Sequence, residues 1–97
     1  MTDFWTARDD FLSHLSGLNR SRHTIDAYGR DVQQFGDFLA SHGVTSLSEI
    51  TPDHVSAWMA HLAERGLSGA SRNRKFHALA AFFKFLVTTG RLNRSPT

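Results

Sequence analysis

The sequence predicts an all-α protein, a compact four-helix bundle. Apolar residues recur at spacings of three and four in four separate stretches, which is the signature of amphipathic helices. Capping residues precede these stretches and glycines follow them, and no stretch shows the alternation typical of a strand. A chain of 97 residues, of which 40% are hydrophobic, is long enough for one domain with a modest core.

The first helix is expected from about Asp3 to Ser16, with Gly17 as its stop. The second helix follows a polar connector, with Ser21 as its N-cap and Thr24 as the alternative, and it closes at Gly43. Its apolar stripe repeats at spacings of three and four and consists of Ile25, Tyr28, Val32, Phe35 and Leu39.

The third helix has a well-defined start at Thr51-Pro52-Asp53 and ends at Arg65-Gly66. The connector before it, residues 44–50, is expected to tuck its apolar side chains under the core. The fourth helix runs from a Ser68 cap to Gly90, and its second half is apolar nearly all round. A helix of that kind is usually packed by several neighbours, so the fourth helix is predicted to be central.

Charge is distributed unevenly along the chain. Residues 1–65 hold nine acids and five Lys or Arg, whereas residues 66–97 hold six Lys or Arg and no acid. Three of these cations, Arg72, Arg74 and Lys75, open the fourth helix, where the helix dipole disfavours them. The other helices are expected to begin with acids, namely Asp3, Asp26 and Asp53. An anionic partner, most often a nucleic acid, would explain the exception, although ordinary solvated charges remain an alternative.

Several classes of function are not indicated. The chain has no cysteine, which excludes disulfides and suits a reducing cytoplasm. It shows neither a signal peptide nor an apolar run able to span a bilayer. No catalytic motif is present, and the six histidines are dispersed, so no catalytic, cofactor-binding or metal-binding residues are predicted. Tyr28 is interpreted as a packed core residue.

Two segments carry a resemblance to a known family. Residues 21–39 (SRHTIDAYGRDVQQFGDFL) and 67–86 (LSGASRNRKFHALAAFFKFL) resemble the second and fourth helices of the N-terminal core-binding, SAM-like domain of tyrosine recombinases. The Xer-type recombinases and phage integrases belong to this family. The order and lengths of all four helices agree. The chain departs from the family at Ala80, where relatives often carry a basic residue.

The resemblance implies a function. The domain, residues 1–90, would form half of a clamp around double-stranded DNA, with the second and fourth helices facing the major groove. Residues 91–97 would begin a linker to a catalytic domain outside this chain, and the parent recombinase would act as a tetramer on paired sites. The fragment itself would not cleave DNA. The DNA contacts assigned on this basis are Arg22, His23, Thr24, Arg30, Ser71, Arg72, Asn73, Arg74, Lys75, His77 and Lys84.

Two other functions fit the same charges. A helical protein–protein adaptor could use the basic face to meet an acidic partner. An RNA-binding bundle is a weaker alternative, because exposed aromatics for base stacking are not evident.

Overall fold

Four α-helices make up most of the computed structural model, which describes residues 3–97 and leaves Met1 and Thr2 outside the description. They are α1 (Phe4–Gly17), α2 (Arg22–Ser41), α3 (Pro52–Glu64) and α4 (Gly69–Thr88), with a short 3-10 turn at Leu47–Glu49. The predicted all-α bundle is therefore confirmed. None of the described helices is long and apolar enough to cross a membrane.

The N-terminus of α2 differs from the sequence-based expectation. The Ser21 side chain accepts a hydrogen bond from the backbone N–H of Thr24 at 3.1 Å, so α2 begins at Arg22 and its first turn contains no acid. The expectation that Asp26 opens this helix is wrong, because Ser21 rather than Thr24 is the cap. Two helices, α2 and α4, thus start with a serine cap and without an acid in the first turn.

Asp3 is a cap rather than a first-turn acid. The backbone N–H of Thr6 donates to Asp3 Oδ1 at 2.7 Å and holds the pKa of Asp3 below its usual range. Three helices end as predicted, at glycines with positive φ: Gly43, Gly66 and Gly90. The first helix does not, since it continues through Gly17 and the positive φ is taken by Asn19 (60°). Asparagine tolerates this backbone region better than most residues.

The core is built around α4, as predicted. This helix contacts each of the other three, and Leu79, Phe82, Phe83 and Leu86 are fully buried. The Phe82 ring lies 5.4 Å from the rings of both Phe4 and Phe11. The connector before α3 contributes Leu47 to the core, with Val44 and Ile50 packed against it.

The seam between α1 and α2 depends on two glycines. A Cβ built on Gly36 would lie 2.5 Å from Phe4 Cε1 and 2.9 Å from Trp5 Cη2, so α1 passes directly over the α2 backbone there. The Arg8 side chain crosses the same seam and donates from Nε to the Gly29 carbonyl oxygen at 3.0 Å. Trp5 therefore packs on α2, although 42% of it is exposed.

The segment after α4 folds back onto the domain. Arg91 pairs through Nη2 with Asp10 Oδ2 at 2.8 Å and lies over the Phe85 ring. Leu92 packs against the core and Pro96 is buried.

Candidate nucleic-acid interface

Both α2 and α4 carry exposed polar and cationic side chains. On α2, the spacing of four, three and four places His23, Ala27, Arg30 and Gln34 along one side. On α4, a matching exposed row holds Asn73, His77 and Lys84. We call the surface formed by His23, Arg30, Arg74, His77 and Lys84 the α2–α4 face.

The two helices meet at a buried ion pair inside this face. Lys75 Nζ lies 2.8 Å from Asp31 Oδ1 and 2.6 Å from Gln34 Oε1. The side chains of Lys75 and Asp31 are only 7% and 1% exposed. Arg74, which remains 54% exposed, reaches the same oxygen of Asp31 with Nη2 at 3.3 Å. One carboxylate of α2 therefore holds two consecutive cations of α4.

Lys75 was predicted to contact DNA, and the structure gives its ammonium group another task. Buried charges require close partners to offset their desolvation, and Asp31 and Gln34 supply them. The ammonium faces α2 rather than solvent.

Sequence reasoning missed Asp31, although a signal existed. Asp31 follows Tyr28 by three residues and precedes Phe35 by four, so it belongs to the apolar side of α2. A carboxylate at such a position indicates a buried cationic partner.

The remaining predicted contacts differ in accessibility. Arg22 is almost fully exposed and lies 4.0 Å from Asp26, whose side of α2 points away from α4. Arg72 is half-buried, and its Nε is buried with no hydrogen-bond partner in residues 3–97.

The caps of α2 and α4 are built alike. Ser21 donates to the Thr24 hydroxyl at 2.9 Å, and Ser68 donates to the Ser71 hydroxyl at 3.2 Å. Thr24 and Ser71 are half-buried, and each hydroxyl keeps its own proton as a donor. Thr24 and Ser71, both predicted to contact DNA, therefore lie at helix N-termini, where the partial charge of the helix dipole is positive.

Three other histidines serve local packing and capping. His54 Nδ1 accepts from the backbone N–H of Thr51 at 3.0 Å and caps α3. His42 and His61 flank the Phe38 ring, with centroids 4.4 and 5.5 Å away. Within residues 3–97 there is no group of three or more His, Cys, Asp or Glu side chains placed to hold a metal ion.

Fold and surface together define a small helical domain with exposed cations on α2 and α4. Residues 9–90 match the family described as phage integrase, N-terminal SAM-like domain. The chain belongs to this family, which confirms the resemblance seen in the second and fourth helices.

Curated relatives extend this result. The chain is 35% identical over 95 residues to tyrosine recombinase XerC of Chlorobaculum parvum, covering 91% of the chain and 28% of the relative. It is 36% identical over 88 residues to XerC of Roseiflexus castenholzii, covering 90% and 28%. With tyrosine recombinase XerD of Rhizobium meliloti it shares 31% over 99 residues, covering 100% and 32%. The chain thus spans about a third or less of these relatives. No solved structure matches it.

Proposed function

We propose that this chain is a DNA-binding domain of a tyrosine site-specific recombinase. It grips duplex DNA through α2 and α4 and positions a separate catalytic domain for strand exchange. The family membership and the Xer relatives support the recombinase assignment. The observation that carries the DNA-binding assignment is the α2–α4 face, where Arg30, Arg74 and Lys84 are exposed and Arg74 reaches across the seam to Asp31.

The contacts have different roles in this proposal. Arg30, Arg74 and Lys84 meet phosphates, because exposed Lys and Arg most often bind the DNA backbone. Thr24 and Ser71 donate to phosphates at the two helix N-termini. His23, Asn73 and His77 are exposed polar side chains that complete the proposed contact surface. Arg22 and Arg72 contribute charge at the margins, and Lys75 acts through its ion pair with Asp31.

The partners follow from the relatives. Because the chain spans about a third or less of their length, the catalytic residues are expected in a second domain of the parent protein. Other recombinase protomers, assembled as a tetramer on paired sites, would complete the active complex.

The test is an NMR shift titration of the 97-residue chain with a duplex of about 20 base pairs, two helical turns, at several salt concentrations. We expect shifts concentrated at residues 21–30 and 68–84, and an apparent affinity that falls with salt. The variant Arg30→Glu/Lys84→Glu should abolish these shifts. The slope is measured on the single neutralisations Arg30→Gln and Lys84→Gln, each of which should lower it by about 0.9 for the phosphate contact that is removed.

The matched control is Arg94→Glu, compared with the single reversal Arg30→Glu on the face, which changes the net charge by the same amount. Arg94 is also exposed but lies in the tail beside Leu47 and Ile50, away from the α2–α4 face, and its reversal should leave most of the affinity intact. If Arg94→Glu weakens binding as much as the reversal on the face, the charge acts without a defined surface. If duplex DNA moves no resonance of the face, an acidic protein partner becomes the better candidate.

A further inference from the structure

The ion-pair network at the α2–α4 seam has features that stability alone does not require. Asp31 is completely buried, yet its Oδ2 has no hydrogen-bond partner in residues 3–97. Its Oδ1 receives both Lys75 Nζ and Arg74 Nη2. Replacing a buried ion pair with apolar residues of similar size is often neutral or stabilising, so packing alone would not demand a carboxylate at position 31.

The two cations are treated differently by this carboxylate. Lys75 is enclosed, with 7% of its side chain exposed, whereas Arg74 is 54% exposed. A guanidinium group carries five N–H donors in a fixed plane, and the network uses one of those of Arg74. The other donors make no hydrogen bond within residues 3–97, and they lie on the surface proposed above to meet DNA.

We infer that Asp31 is a positioning residue that orients Arg74 for contact with a DNA phosphate. The inference rests on the proposed function and goes beyond it by assigning a role to a buried acid. An arginine held by a carboxylate loses less side-chain entropy when it binds, since its geometry is already set. Lys75 neutralises the carboxylate, so Asp31 can anchor Arg74 without presenting an uncompensated negative charge to DNA.

Simple charge repulsion predicts the opposite sign, which makes the inference testable. If Asp31 acted only as a negative charge near DNA, its removal would strengthen binding. If Asp31 positions Arg74, its removal weakens binding even though the net charge of the face does not fall. The variant Asp31→Leu/Lys75→Met removes one charge of each sign, so that charge alone predicts unchanged binding, and it also removes the acceptor of Arg74. The conservative variant Asp31→Asn/Lys75→Met keeps an acceptor oxygen.

Binding of the 97-residue chain to the same duplex is measured with and without Arg74→Ala in each background, after circular dichroism has established folding. Arg74→Ala alone should weaken binding about tenfold, the range of a charge-assisted hydrogen bond. Asp31→Leu/Lys75→Met should weaken it by most of that factor, and adding Arg74→Ala should then change little. Asp31→Asn/Lys75→Met should recover part of the loss.

Three outcomes would overturn the inference. In the first, the folded Leu/Met variant binds as tightly as the parent chain. In the second, Arg74→Ala costs the same factor in both backgrounds. In the third, Arg74→Ala has no effect in the parent chain. If Arg30→Glu/Lys84→Glu still abolishes binding in that third case, the proposed DNA face survives and only the role of Asp31 fails. If Arg30→Glu/Lys84→Glu also leaves DNA binding unchanged, the proposed function itself is wrong.

A spectroscopic measurement covers the case in which the Leu/Met variant does not fold. The Nε–H resonance of Arg74 should show restricted guanidinium motion in the parent chain. That restriction should be reduced in Asp31→Asn/Lys75→Met, where an acceptor remains but is neutral and the hydrogen bond is weaker. An unchanged signal would contradict the inference.

Discussion

The two flanks of α2 are packed by opposite means. Toward α1, the two helices pack closely because Gly36 has no side chain, which lets the rings of Phe4 and Trp5 lie on the α2 backbone. Toward α4, the seam is closed by charge, through Asp31 and Lys75. The α1 flank therefore sets only how closely two helices pack. The α4 flank also holds an exposed cation, Arg74, through the carboxylate of Asp31.

The largest stability effect is expected from breaking the charged seam on one side only. Lys75→Met leaves Asp31 buried with only the half-exposed Arg74 as its partner. Loss of one member of a buried pair typically costs about 3 kcal/mol or more. Adding Asp31→Leu to Lys75→Met should restore most of the free energy of unfolding, because the uncompensated charge is then gone. Denaturant unfolding of the single and double variants measures both values, and equal stability would show that the pair is not coupled.

The glycine seam should show a smaller, purely steric effect. A methyl group at Gly36 would overlap the buried Phe4 ring, and overpacking of this kind costs about 3 kcal/mol at the upper end. The gain in helix propensity from Gly to Ala offsets about 1 kcal/mol, so Gly36→Ala should lose about 2 kcal/mol. Its DNA affinity, once the variant is folded, should be unchanged.

Gly29→Ala is the matched control for this steric effect. A Cβ there would meet Arg8 Nη2 and Leu12 Cδ1, each at 3.2 Å, and both atoms are ends of flexible side chains. The helix-propensity gain should then dominate, leaving stability unchanged or raised by up to about 1 kcal/mol. Equal losses at the two glycines, in thermal unfolding, would contradict the idea that Phe4 sets the closeness of the seam.

The contrast between the flanks also explains what the sequence could predict. The spacing of apolar residues predicts a helical core. Its members Val32, Phe35, Phe82 and Leu86 are all buried, as expected. The burial of Lys75 could not be predicted from the sequence of α4 alone. A basic residue next to Arg74 gives the same pattern whether it faces solvent or a carboxylate on another helix. The partner, Asp31, lies 44 residues away in sequence.

The sequence alone was also insufficient to choose the cap of α2. Ser21 and Thr24 are both good caps, and only the backbone geometry shows that the Ser21 side chain accepts the Thr24 N–H. Local propensity places the cap within one turn, whereas the choice of Ser21 over Thr24 puts Arg22 and His23 in the first turn of α2.

The smallest expected effect comes from an exposed ion pair, which sharpens the contrast with the buried one. Arg91 and Asp10 are 25% and 43% exposed, although their 2.8 Å separation is as short as that of Lys75 and Asp31. Solvent screens such a pair, so Arg91→Ala should cost about 1 kcal/mol, including the contact with the Phe85 ring. Arg94→Ala, which removes an exposed cation from the same segment, should change stability by about 0.5 kcal/mol at most.

A double-mutant cycle of Arg91→Ala with Asp10→Ala isolates the pair itself. We expect a coupling energy below about 1 kcal/mol that shrinks as salt is added, because exposed charges are screened over a Debye length. A coupling as large as that between Asp31 and Lys75 would mean that distance, rather than burial, decides the strength of ion pairs in this domain. Since the two pairs have equal lengths and differ mainly in exposure, the cycle tests whether burial is what gives the α2–α4 seam its influence.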